Sequence, residues 1–210
     1  MISTTLIIVA VTSVVSIIAF SNRQLFDRLL LSPYKVMHKK EYYRIVTHGF
    51  VHADWMHLIV NMFVLWSFGT GLQQWFNALQ YQGIIASATL HLIVIYFGGM
   101  IIASLSTVIK HKNSVYYSSV GASGAVSAVV FATIFFEPWQ PLYLFAIIPI
   151  PGILFGAAYL WYSSYMSKKG GDNINHDAHF YGAVFGFIYP ILIDPSLAVH
   201  FFNQLVTFGR

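Results

Sequence analysis

Apolar residues run in long blocks along this chain, and the polar residues gather in the gaps between them. The first block covers about 4–20; others cover about 55–73, 84–109, 119–136, 142–166 and 177–193. Each approaches or exceeds the roughly 20 apolar residues that a helix needs to cross a bilayer. Glu137-Pro138 closes the fourth block and Asp194-Pro195 the sixth. Pro149 and Pro151 fall inside the fifth, where they predict a kink. The pattern predicts an all-α membrane protein, a bundle of six transmembrane helices forming a single domain over 1–210. No Lys or Arg precedes the first block, and Ala19-Phe20-Ser21 is a poor cleavage site. That block therefore reads as a retained helix rather than a signal peptide. The apolar tail 196–210, ending on Arg210, is expected at the interface.

The gaps are unequal. Loop 1, about 21–54, is long and holds Arg23, Arg28, Lys35, Lys39, Lys40 and Arg44. A connector of that length predicts structure of its own, so Met37 to Val51 is read as partly helical and lying at the interface. Composition sharpens the class. The 210 residues are 57% hydrophobic and only 9% charged, against about a quarter charged in soluble domains. Cysteine is absent, so neither a disulfide framework nor a thiolate metal site is available. A net charge of +4 is too small and dispersed for nucleic acid and fits basic loops at a membrane surface.

Four polar groups inside the apolar blocks carry the candidate chemistry. The second, fourth and sixth helices run in the same direction. His57 and Asn61 open the second, Ser123 the fourth and His179 the sixth, so all four lie toward one face of the membrane. Ser123 stands in Gly121-Ala122-Ser123-Gly124. Such a cluster is commonly a packing face, yet its glycines also admit a close backbone to a hydroxyl that an adjacent base would activate. An intramembrane histidine is a functional hypothesis by default, with a satisfied core imidazole as the bland alternative. Gly182 and Gly186 share the face of His179, so packing that stripe on the fourth helix brings the ring toward Ser123. His57 and Asn61, at i and i+4, share a face. They are either a staple between helices or two donors for a developing oxyanion. His48 and His52 lack the glutamate of a His-Glu-x-x-His zinc site and read as loop anchors near Tyr43 and Arg44. No metal and no cofactor is expected. His91 reads as a core residue, and His38, His111, His176 and His200 as loop or interface residues. Asp177 lies on a different face from His179, and no carboxylate is well placed to orient that ring.

Taken together these residues resemble the rhomboid intramembrane serine proteases, over about 43–194. Tyr43-Arg44, His48, His52, His57 and Asn61 resemble the family's loop 1 and second-helix motif. Gly121-Ala122-Ser123-Gly124 matches its Gly-x-Ser-Gly, and Ala178-His179 with Gly182 and Gly186 matches its sixth-helix motif. The resemblance implies a six-helix bundle with a water-filled cavity, Ser123 as nucleophile, and His179 as base and then acid. It also implies an oxyanion hole from His57, Asn61 and the backbone N–H of Ser123. The implied partners are the lipid bilayer and single-pass transmembrane substrates, which enter laterally near the second and fifth helices. A bacterial inner membrane is the expected location. Two positions depart from the family: Tyr43 where Trp is frequent, and Ser127 where many members carry an aromatic that packs on the catalytic ring. The ring must then be held by something else, such as Tyr181 or an aromatic of the second helix. The family places its catalytic face outside the cytoplasm. Yet ten of the eleven Lys and Arg residues, all except Arg210, fall on that face, against the positive-inside rule. Two rivals stand beside this reading: a proteolytically inactive relative that binds membrane clients, and a haem or metal carrier using His57, His91 or His179.

Overall fold

A computed structural model describes residues 3–144 and 147–207. The chain is mostly helical. Helix α1 spans Thr4–Ser21, and loop 1 holds three short helices, α2 (Arg23–Leu29), α3 (Pro33–Lys39) and α4 (Arg44–Thr47), with a 3-10 turn over His48–Phe50. Then come α5 (Trp55–Tyr81), α6 (Ala88–His111), α7 (Ser123–Phe136), α8 (Gly152–Lys169), α9 (His176–Ile193) and α10 (Leu197–Val206). Starts are set by capping side chains that accept backbone N–H bonds: Ser3, Asn22, Ser32, Asp54, Ser87 and Asn175. Among the described residues three helices, α1, α5 and α6, are long and apolar enough to cross a membrane, and α9 with α10 makes a fourth if that bent pair counts as one span. Ile7, Val14, Phe63, Trp66, Leu154 and Leu192 turn their side chains outward, as a lipid-facing surface requires.

Helix α7 is the axis of the bundle. From Gly124 to Phe136 every residue is buried, and a helix apolar on all sides belongs inside its protein. It packs most extensively on α9, then on α6 and α5. Far from Ser123, an aromatic cluster closes the bundle: Phe201 of α10 lies 5.1 Å from both Phe135 and Phe187, and Trp75 stacks on Phe136 at 5.1 Å. Helix α10 is therefore built into the bundle, turned 116° from α9, instead of lying at the interface, while Arg210 lies outside the described residues.

Two further expectations change. The fifth block does not begin as a helix with a proline kink. Pro141–Leu144 (β1) and Ile148–Pro151 (β2) pair as an antiparallel hairpin, and α8 starts cleanly at Gly152. Proline fixes φ and removes a donor, so Pro149 and Pro151 stop a helix from forming upstream instead of bending one. His176 is not a surface residue: it is 5% exposed and its Nε2 lies 3.0 Å from Asp172 Oδ2.

Candidate active site

The turn into α7 is built by loop 1. Gly121 has φ +108, and a Cβ there would sit 2.6 Å from the His57 ring, so both conformation and space require glycine. Its N–H donates to the carbonyl of His48 at 3.0 Å. The next N–H, that of Ala122, donates to His52 Nε2 at 3.4 Å. On the other side of that ring, Ser16 of α1 lies 2.9 Å from Nδ1 and donates its own proton to Phe50 O at 2.8 Å. A hydroxyl has one proton. With that proton on Phe50, Nδ1 must donate to Ser16, which leaves Nε2 as the acceptor Ala122 needs. His52 is thus neutral, and burial pushes it down to about 3. His48 donates from Nδ1 to Arg44 O at 3.1 Å, and burial pushes it down to about 4.

Arg44, 3% exposed, staples loop 1 to itself. Its guanidinium donates to Leu30 O at 2.7 Å, Asp27 O at 3.0 Å and Glu41 at 2.5 Å. That hydrogen bond holds the Glu41 carboxyl below its ordinary range.

Helices α7 and α9 meet backbone to backbone. A Cβ on Gly182 would fall 2.2 Å from Gly124 O, and one on Gly186 would fall 2.0 Å from Ala128 O. From the other side, a Cβ on Gly124 would lie 3.4 Å from Ala178 O. Ser123 and His179 therefore occupy neighbouring turns of two touching helices. Among the described residues no direct hydrogen bond joins them, and none reaches the His179 ring from a carboxylate. Asp177 accepts instead from Lys110 of α6 and Ser167 of α8, and Asp172 pairs with His176. Two rings neighbour the His179 imidazole. Tyr159 of α8 stacks on it at 6.1 Å and 20°, and His176 meets it edge-on at 6.0 Å. The Tyr159 hydroxyl lies 2.8 Å from Ser127 Oγ. Tyr181, 46% exposed, is not that ring.

His57 and Asn61 stand one turn apart on α5. Asp54 caps this helix through the His57 N–H at 2.8 Å, and the Ala53 N–H donates to His57 Nδ1 at 3.4 Å. The neutral ring then carries its proton on Nε2, the edge that faces Gly121. Asn61 is buried and spends one amide proton on His57 O at 2.8 Å, which leaves one to offer. Helix α7 has no side-chain cap: Ala122 precedes it without a capping bond. The first N–H groups of a helix have no internal partner and favour negative charge. A hydroxyl, an imidazole, an imidazole N–H, an amide and an uncapped helix start are thus gathered at one end of the bundle. His91 lies elsewhere, with Nδ1 2.8 Å from Tyr189 OH.

Residues 39–195 match the family model described as "Rhomboid domain". The chain belongs to the rhomboid family. Rhomboid relatives include "RHOMBOID-like protein 12, mitochondrial" of Arabidopsis thaliana, 29% identical over 66% of this chain and 43% of its own length. "Rhomboid protein 1, mitochondrial" of Saccharomyces cerevisiae is 27% identical over 79% of this chain and 46% of its own. "Presenilin-associated rhomboid-like protein, mitochondrial" of Rattus norvegicus is 32% identical over 67% and 35%. The chain spans less than half the length of each of these relatives. Rhomboid proteins are multi-pass membrane proteins, generally intramembrane serine proteases.

Two contributors were missed in the sequence. Ser16, which fixes the His52 tautomer, belongs to a buried stripe with Thr5, Thr12 and Ala19 on α1. Its helical spacing in an apolar segment was a readable signal. Tyr159 gave none, being one of four aromatics between Phe155 and Tyr162.

Proposed function

We propose that this rhomboid protein is an intramembrane serine endopeptidase that cleaves transmembrane segments of single-pass membrane proteins. The reading rests on one juxtaposition: Ser123 at the uncapped start of α7, beside His179, across a crossing of bare glycine backbones. In the first step Ser123 Oγ attacks the scissile carbonyl carbon while His179 takes its proton. The carbonyl oxygen becomes an oxyanion, held by the Ser123 N–H, the His57 Nε2–H and the free Asn61 amide proton. The C–N bond then breaks, and the imidazolium returns the proton to the leaving amine. Water, deprotonated by His179, hydrolyses the acyl-enzyme and restores Ser123. A neutral dyad suits this place, because a buried carboxylate is costly there.

The proposed membrane arrangement has six crossings: α1, α5, α6, α7, α8 and α9. The 14 residues of α7 reach only about 21 Å, well short of a hydrocarbon core of about 30 Å. Ser123 then lies below the membrane surface, where water comes from the loop 1 side alone. Substrate entry is proposed between α5 and α8. The names of the relatives place those proteins in mitochondria and lend no support to a bacterial inner membrane, so no compartment is proposed.

Reconstitution with a single-pass substrate tests the function. Ser123→Ala and His179→Ala are expected to lower turnover by several orders of magnitude and about equally, since the two act as a unit. Asn61→Ala, removing one of several donors, is expected to lose roughly 10²–10³-fold. Equal cleavage by all three variants and the unaltered protein would refute the assignment.

A further inference from the structure

The dyad lacks an orienting group of the usual kind. In serine hydrolases a carboxylate commonly fixes the imidazole, yet here both nearby carboxylates are engaged elsewhere, Asp177 with Lys110 and Ser167 and Asp172 with His176. Among the described residues the His179 side chain has no hydrogen bond at all. An imidazole free to turn would spend little time pointing at Ser123, and misplacement by about 1 Å can cost 10²-fold.

We propose that Tyr159 and Ser127 form the positioning device for His179, resting on the assignment of Ser123 and His179 as the catalytic pair. The geometry closes a ring of contacts. Ser127 lies four residues after Ser123 on α7, so the two hydroxyls share a face about 6 Å apart along the helix. The Ser127 hydroxyl holds the Tyr159 hydroxyl at 2.8 Å. The Tyr159 ring lies near-parallel to the His179 imidazole, at 20° and offset with centroids 6.1 Å apart, within the 4.5–7 Å range of favourable aromatic pairs. His179 in turn sits on α9 where that helix touches α7. The nucleophile and its base are therefore referenced to the same helix by two routes, the Gly124–Gly182 contact and the Ser127–Tyr159 hydrogen bond.

Tyr159 itself is seated by Phe131 at 5.6 Å and Phe155 at 5.8 Å, which leaves its ring few ways to move. A small residue at 127 is what makes room for a tyrosine arriving from α8. An aromatic at 127 would run into Tyr159, whose hydroxyl lies 2.8 Å from Ser127 Oγ. Ser127 is thus the complement of Tyr159 and not a defect in the site. His176 stands nearly perpendicular to the ring, at 75° with centroids 6.0 Å apart, and so does not provide the parallel stack that Tyr159 does.

Steady-state cleavage of a reconstituted single-pass substrate tests this, with thermal melting in the same detergent as the check on folding. Tyr159→Ala is expected to lower kcat by about 10–100-fold with KM within about twofold. Tyr159→Phe keeps the stack and loses the hydroxyl, so its loss should stay below about tenfold, the scale of one hydrogen bond, and Ser127→Ala should match it. The decisive variant is the exchange, Ser127→Tyr with Tyr159→Ala, which returns an aromatic to the ring from α7. It is expected to recover most of the kcat lost in Tyr159→Ala. A folded Tyr159→Ala protein with unchanged kcat, or a loss confined to KM, overturns the proposal while leaving the dyad standing. Turnover that survives Ser123→Ala removes the dyad reading and this inference with it.

Discussion

At His52 the direction of a single hydrogen bond sets what the turn into α7 can tolerate. Its Nε2 accepts from Ala122, next to Ser123, only while the ring is neutral. Burial lowers His52 to about 3 and His48 to about 4, both from an ordinary 6.5. The unfolded chain therefore takes up these protons first as pH falls, and protonation draws the equilibrium toward unfolding. Stability is expected to be full above about pH 6.5 and to decline progressively toward pH 4. Melting temperatures in detergent between these limits check it, and His52→Gln should flatten part of the slope. A melting temperature independent of pH in that range would contradict the neutral-histidine anchor. The residues that carry motifs were legible in the sequence: Ser123, His179, His57, Asn61 and the loop 1 histidines. Their supporting contacts were less so: the polar stripe holding Ser16 shows in its period along α1, but not that His52 is its partner, and only the place to which α8 brings Tyr159 sets it apart from its neighbouring aromatics.

Among the elements, the crossing of α7 and α9 sets the tightest tolerance. A Cβ at Gly182 or Gly186 meets backbone atoms of α7 within about 2.2 Å, and backbone cannot rotate aside as a side chain does. Gly182→Ala is expected to destabilise by at least about 3 kcal/mol, the upper range of overpacking costs. Gly71 lies on α5 with nothing within 4 Å of its Cβ position, so Gly71→Ala should melt within a few degrees of the unaltered protein. Equal melting temperatures for the two variants would show that α7 and α9 are not in backbone contact. The glycine stripe was readable from its period. Helix ends were less so: α5 runs on to Tyr81 and α7 begins only at Ser123. The fifth block misled for a physical reason. Apolar residues with two prolines satisfy a hydropathy window as well as a helix does, and their inability to donate backbone bonds emerges only in the hairpin.

Over the whole molecule, the bundle has two unlike ends. One is sealed by aromatic rings from α5, α7, α9 and α10. The other carries loop 1, the termini of α6 and α8 with Lys110, Lys168 and Lys169, and every residue of the proposed site. Loop 1, held together by Arg44, reaches inward through His48 and His52 to the turn into α7 and so is a wall of the proposed site, not a connector across it. In the proposed arrangement the short α7 and its uncapped start put Ser123 at depth, with access from that one end. The central claim, that Ser123 is an activated nucleophile with His179 as its base, is tested most directly by reaction with a fluorophosphonate probe in detergent, followed by peptide mapping of the adduct. We predict labelling of the unaltered protein at Ser123, none in Ser123→Ala, and a severe loss in a folded His179→Ala. A folded, unaltered protein that stays unlabelled, or that carries the label on another serine, would contradict it.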